Sequence, residues 1–176
     1  MSESGPGLYD QLRSQVDAQT ASIAERRRRY LQCRKGCDSC CHQRLAVLPV
    51  EYDRLRTAFL ALPPEEQQRI RGHAAERWAA GICPLLVDGA CSLYEDRPII
   101  CRTHGLPLYS EVGSETPPKI SVCHLNFVEL DRFDEEDLID IDSVGLTLVG
   151  ANQEYTKSDA GRPDSTQPRP MIEVVT

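Results

Sequence analysis

No apolar run in this 176-residue chain approaches the roughly 18 residues that a membrane-crossing helix requires, so no span is predicted. The start, Met1 to Gly7, is polar and acidic. It has neither the apolar centre of a secretory signal nor the basic character of a transit peptide, which places the expected location in the cytoplasm. There is no internal repeat and no glycine-rich nucleotide loop, so neither a repeat architecture nor phosphate-cradle chemistry is expected. Cysteine is missing from both ends of the chain: all eight cysteines fall between residues 33 and 123.

What is present is therefore concentrated. Cys33, Cys37, Cys40 and Cys41 form a CxxxCxxCC run, followed by Cys83, Cys91, Cys101 and Cys123. At 176 residues the chain is one ordinary domain, or one domain with tails, and is long enough to bury a core without cross-links. In a reducing compartment, eight thiols point away from structural disulfides and toward a soft metal. Reversible redox chemistry and core packing are the competing readings.

The net charge is −7. Residues 129–142 alone hold Glu129, Asp131, Asp134, Glu135, Glu136, Asp137, Asp140 and Asp142 against Arg132, which accounts for all of it. The basic block Arg26 to Arg29, with Arg34 and Lys35, has three readings. It is a solvated helix end favoured by the dipole, a counter-charge to nearby thiolates, or a nucleic-acid contact, and the first fits best. The acidic segment is the place to expect a basic protein partner.

Leu8, Leu12, Val16, Ile23 and Tyr30 fall within about 80° of one helical face, which predicts a first helix over 7–31. Leu45 to Val50 is a short apolar stretch. Tyr52, Leu55, Phe59 and Leu62 mark a second helix, ended by Pro63 and Pro64. Pro64 opens a third, with Ile70, Ala74 and Trp78 inward and Gly81 as its stop. Asp88-Gly89 between apolar runs predicts a hairpin. Arg97-Pro98 begins a helical turn carrying Cys101, 105–119 reads as a long loop, and 122–128 as extended chain. Asp142 or Ser143 caps a last helix whose face holds Val144, Leu148, Ala151 and Tyr155. Residues 157–176 read as a disordered tail.

Residues three and four apart share a helical or tight-turn face, so Cys33, Cys37 and Cys40 are able to converge. Cys41, next to Cys40, is expected to serve a different site or the opposite side of a cluster, which suggests two groups of thiols without fixing how they divide. If the hairpin loop is strictly Asp88-Gly89, Cys83 and Cys91 face opposite sides; a three-residue loop puts them on one. A Cys83 lying before the strand escapes both rules. His42, His104 and His124 each lie within three residues of a cysteine and are further candidate ligands, whereas His73 is given no role. Arg97 and Arg102, flanking Cys101, either donate to sulfur or an anion, or pair with the acidic segment. Tyr94 reads as core rather than catalytic.

Zinc and iron–sulfur clusters both accept four thiolates, and spacing does not separate them. CxxxCxxC also occurs in radical S-adenosylmethionine enzymes, but Ser39 stands where those carry an aromatic residue, and the strand–helix repeats of their barrels are absent.

The ordered set Cys33-x3-Cys37-x2-Cys40-Cys41, Cys83-Pro-Leu, Cys91-Ser-Leu-Tyr-x2-Arg97-Pro98-x2-Cys101-Arg102 and Cys123 resembles the YkgJ-type cysteine-cluster proteins, over about residues 33–126. The resemblance implies zinc or iron chelation, with all eight cysteines as candidate ligands. A similar motif in flagellin lysine methylases implies an iron–sulfur cluster. The expected protein is a mainly α, small irregular helical domain with one short β-hairpin around a cysteine-ligated metal centre. Residues 1–32 form an N-terminal helix on the core, 33–126 the metal-binding domain, and 127–156 an acidic segment and last helix. Two alternatives stay open: a metal-dependent redox or modifying enzyme, and a zinc-stabilised interaction module.

Overall fold

Five α-helices carry most of the regular structure in a computed structural model that describes residues 7–34, 36–112, 119–158 and 167–176. In chain order these residues form α1 (Leu8–Arg26), β1 (Ala46–Val47), α2 (Pro49–Leu60), α3 (Pro64–Ala79), β2 (Leu86–Val87) and β3 (Ala90–Cys91). There follow α4 (Ile99–Thr103), β4 (Leu108–Ser110), β5 (Lys119–Ser121), β6 (Ile139–Asp140), α5 (Ile141–Ser158) and β7 (Arg169–Pro170). Short 3-10 turns include Arg28–Tyr30, Ser39–Cys41, Tyr94–Asp96, Glu135–Asp137 and Met171–Val174. The protein is mainly α, with short strands and the expected hairpin.

The chain divides into two compact units, neither of them a continuous segment: Met1–Cys33 with Ile99–Glu154, and Arg34–Pro98 with Tyr155–Thr176. The division does not follow the expected 33–126 boundary, because Cys33 and residues 99–126 group with the first helix.

In the first unit, α1 packs on α4. The helix buries Tyr9, Leu12, Val16 and Ile23, so the apolar face read from its spacing is the one that turns inward. It stops at Arg26, short of residue 31, and a 3-10 turn carries Tyr30 into the cluster of Ile23, Leu106, Phe127 and Ile139. The expected loop over 105–119 contains β4, which pairs antiparallel with β5 and parallel with β6; residues 113–118 lie outside the described residues. Residues 122–128 are turns rather than extended chain. Phe127 takes φ 57, rare for an aromatic residue. Its N–H bonds the Tyr30 carbonyl at 2.8 Å and its ring meets Phe133 edge-on. The last helix is capped two residues earlier than expected: the Asp140 carboxylate accepts the N–H groups of Asp142 and Ser143, both at 3.1 Å. Asp142 accepts from Glu111 and Val112 N–H instead.

The two charge blocks meet inside this unit. Arg27 Nε donates to Asp137 Oδ2 at 2.7 Å, its guanidinium also reaches Asp134, and Arg26 donates to the Glu136 carbonyl. The solvated-end reading of Arg26 and Arg27 is thereby corrected, and part of the acidic segment already has a basic partner in its own chain. The Asp137 side chain is buried. Burial alone raises its carboxyl, but the bonds from Arg27 and the Asp134 N–H outweigh it and hold it below the ordinary range. A depressed carboxyl contributes stability above the unfolded value of about 4, and that contribution is lost as pH falls through the folded value. Asp137→Asn is therefore expected to cost about 2 kcal/mol at neutral pH. It should also flatten the acid side of the stability profile, read by urea unfolding between about pH 3 and 7. A profile parallel to wild type would refute this.

In the second unit, Pro49 and Pro64 occupy the first turns of α2 and α3, where a missing N–H costs nothing. Helix α2 therefore begins three residues before Tyr52. Helix α3 ends in a Schellman turn: Ile82 N bonds Arg77 O, Gly81 N bonds Trp78 O, and Gly81 takes φ 80. The core comprises Val47, Tyr52, Leu55, Phe59, Ile70, Leu85 and Leu93, closed by Met171, Val174 and Val175. This corrects the expectation of disorder for 167–176. There β7 pairs antiparallel with β1, Ala46 opposite Pro170, while residues 159–166 lie outside the described residues. Arg56 donates to the carbonyls of Val174 and Thr176, and Arg71 Nε to that of Val175. A tail rich in Pro, Ser and Asp overall hides four apolar residues among its last six.

Candidate metal centre

All eight cysteines are free thiols. Five belong to the second unit and three to the first. Within the second unit the chain takes φ 90 at Gly36, before the 3-10 turn that presents Cys40 and Cys41. The hairpin returns against this loop. Cys83 N donates to Cys41 O at 2.8 Å, and a Cβ at Gly89 would lie 3.9 Å from Gly36 Cα. Arg69 of α3 tethers the hairpin tip through Asp88. The loop is strictly Asp88-Gly89, with φ 51 and 72 as a type I′ turn requires, and Val87 pairs with Ala90. Cys83 precedes β2, so the two-face rule for the hairpin does not reach it, and it shares an electrostatic neighbourhood with Cys91.

That neighbourhood holds four thiols. Cys40, Cys41, Cys83 and Cys91 influence one another in every pairing. Cys40 and Cys41 lie within hydrogen-bonding reach of each other. The Cys41 hydrogen bond pulls Cys40 down to about 6, helped by its own backbone N–H and Arg97 and opposed by burial and Asp38. Cys41 is pushed up by that same bond, by burial and by the other three thiols. Burial pushes Cys83 up to about 11, against N–H groups of Leu85 and Leu86 aimed at its sulfur. Burial raises Cys91 too, against the Leu93 N–H and Arg97. The two Cys-x-Leu segments thus repeat one device, an N–H two residues on turned toward the thiol. Among the described residues no three His, Cys, Asp or Glu side chains are gathered closely enough to hold a metal ion. The arrangement is four mutually repelling sulfurs with polar support, a donor set that suits a soft cation.

In the first unit, the Cys33 sulfur accepts from Asn126 Nδ2 at 3.2 Å. Cys101 lies on α4, and the Cys123 carbonyl accepts the Asn126 N–H at 2.9 Å.

Residues 32–119, half of the chain, match the family described as "CxxCxxCC: Putative zinc- or iron-chelating domain". The chain belongs to this family. No curated protein and no solved structure matches it. Seven of the eight cysteines lie inside the CxxCxxCC match, and Cys123 lies beyond it.

The other residues singled out in this CxxCxxCC chain distribute unevenly. His104 follows α4 and is half-buried, which lowers its pKa. His42 is exposed, with Nε2 3.7 Å from Asp38; His124 and His73 are also exposed. Arg97 supplies positive charge to Cys40 and Cys91 while stacking on Tyr94, 3.6 Å from the ring centroid. Arg102 pairs with Asp17 of α1 at 2.6 Å. Tyr94 is 57% exposed, not core; the neighbouring Leu93 is the buried residue. Asn126 was not legible beforehand, and its only signal is a buried amide three residues after Cys123.

The family membership makes this a zinc- or iron-chelating type of domain. No helix among the described residues is long and apolar enough to cross a membrane.

Proposed function

We propose that the protein binds zinc or iron through two thiol groups. Cys40, Cys41, Cys83 and Cys91 form the first, with Cys37 on the same loop. Cys33, Cys101 and Cys123 form the second, where the half-buried His104 is a candidate for a nitrogen ligand. The observation that carries the reading is that Cys40, Cys41, Cys83 and Cys91 lie within electrostatic reach of one another, with backbone N–H groups turned toward Cys83 and Cys91. Four sulfurs complete a tetrahedral shell, so the first group suits a closed structural or cluster centre. The thiols must shed their protons to ligate, which couples affinity to pH. The test is an anaerobic preparation analysed for iron, zinc and acid-labile sulfide, with a visible spectrum. At least one equivalent of zinc or iron per chain is expected. Sulfide with visible absorbance assigns an iron–sulfur centre, and zinc without either assigns a mononuclear one. Neither metal at stoichiometric level would end the proposal.

A further inference from the structure

Asn126 is 3% exposed and every polar atom of its side chain has a partner. Oδ1 accepts the Gln32 N–H at 2.8 Å, while Nδ2 donates to the Gly105 carbonyl at 2.7 Å and to Cys33 Sγ at 3.2 Å. These partners fix the amide's orientation, because a flip would set carbonyl against carbonyl and N–H against N–H. Gly105 completes the arrangement. It takes φ 94, and a Cβ there would stand 3.0 Å from both Cys33 Sγ and Asn126 Nδ2. The sulfur therefore rests in a cradle that exists only because residue 105 has no side chain and residue 126 turns an N–H toward it.

We propose that Asn126, seated against Gly105, is a positioning residue that aims the Cys33 sulfur for metal ligation. This rests on the metal-binding reading above. An amide N–H on a ligand sulfur stabilises the thiolate and holds its direction, the role that outer hydrogen bonds play around metal ligands generally, where their loss costs 10- to 100-fold in affinity. Asn126 lies beyond the matched residues 32–119, so the family match does not assign it.

The decisive variant is Asn126→Asp. It is isosteric and keeps an oxygen for the Gln32 N–H, but faces the sulfur with an acceptor. Wild-type and variant protein are loaded anaerobically with zinc or ferrous iron and treated with iodoacetamide. Alkylation is then read cysteine by cysteine by mass spectrometry, well below the melting temperature. In wild type, Cys33 and the second-unit thiols are expected to be protected. In Asn126→Asp, Cys33 alone is expected to be alkylated at least about 10-fold faster, with Cys40, Cys41, Cys83 and Cys91 still protected. The cobalt-substituted form should show a shifted sulfur-to-metal charge-transfer band, a signature that loosened packing alone does not move. If Asn126→Asp fails to fold, Asn126→Ser, smaller and still a donor, replaces it and should retain partial protection of Cys33. Unchanged Cys33 protection in a folded variant overturns the proposal. So does a wild type in which metal protects the second-unit thiols but never Cys33, which leaves the metal-binding reading standing. A wild type with no thiol protected by either metal refutes that reading itself.

Discussion

Deleting residues 167–176 should abolish the cooperative structure of the second unit. Val174 and Val175 are fully buried and Met171 nearly so. Each buried apolar side chain of this size contributes about 1.5–3 kcal/mol. Three of them therefore approach the whole stability of a typical domain, about 5–15 kcal/mol. The deletion also strips the carbonyl acceptors from Arg56 and Arg71, whose guanidinium groups lie near the Phe59 ring, Arg71 at 4.9 Å. Amide hydrogen exchange in α2 and α3 is the measurement, and loss of protection across both helices is the expected result. Val175→Ala is the graded version, at about 2 kcal/mol. Full protection in the truncated chain would show that the core closes without these residues.

Cys83→Ser and Cys40→Ser are each expected to release the metal of the second unit and to lower its melting temperature. A hydroxyl is a poor ligand for a soft cation. A metal present at a thousandfold over its dissociation constant stabilises the fold by about 4 kcal/mol. For a chain of this size that is a melting shift of about 10 °C. A chelator should bring wild type to the same temperature and leave the variants unmoved. A wild type indifferent to chelator, with a melting point shared by both variants, would rule this out.

The sequence announces most of the helical framework because its signals are local. Pro49 and Pro64 are preorganised for helix starts, Gly81 for a stop, and Asp88-Gly89 for a two-residue turn. What it conceals depends on partners far along the chain. Arg26 and Arg27 read as solvated until Asp134 and Asp137 arrive about 110 residues later. Val174 and Val175 sit in a stretch whose average composition is polar, and only the α2–α3 face reveals their purpose. The same applies to the candidate site. The eight thiols were plain, whereas how they divide was not. Spacing alone does not say how Cys40 and Cys41 are divided between sites. Asn126 was missed because nothing in its neighbourhood marks one amide as buried.

The pairing of β1 with β7 sets an order of events during synthesis. Val47 lies opposite Arg169, and Tyr52 bonds the Glu173 carbonyl, 121 residues away. Residues 34–98, which include Cys37, Cys40, Cys41, Cys83 and Cys91, leave the ribosome well before the residues that seal their core. The second unit cannot finish folding until residue 175 has emerged. Its thiols thus pass through an interval when they are made but not enclosed, in which a reducing environment and early metal capture compete directly with oxidation.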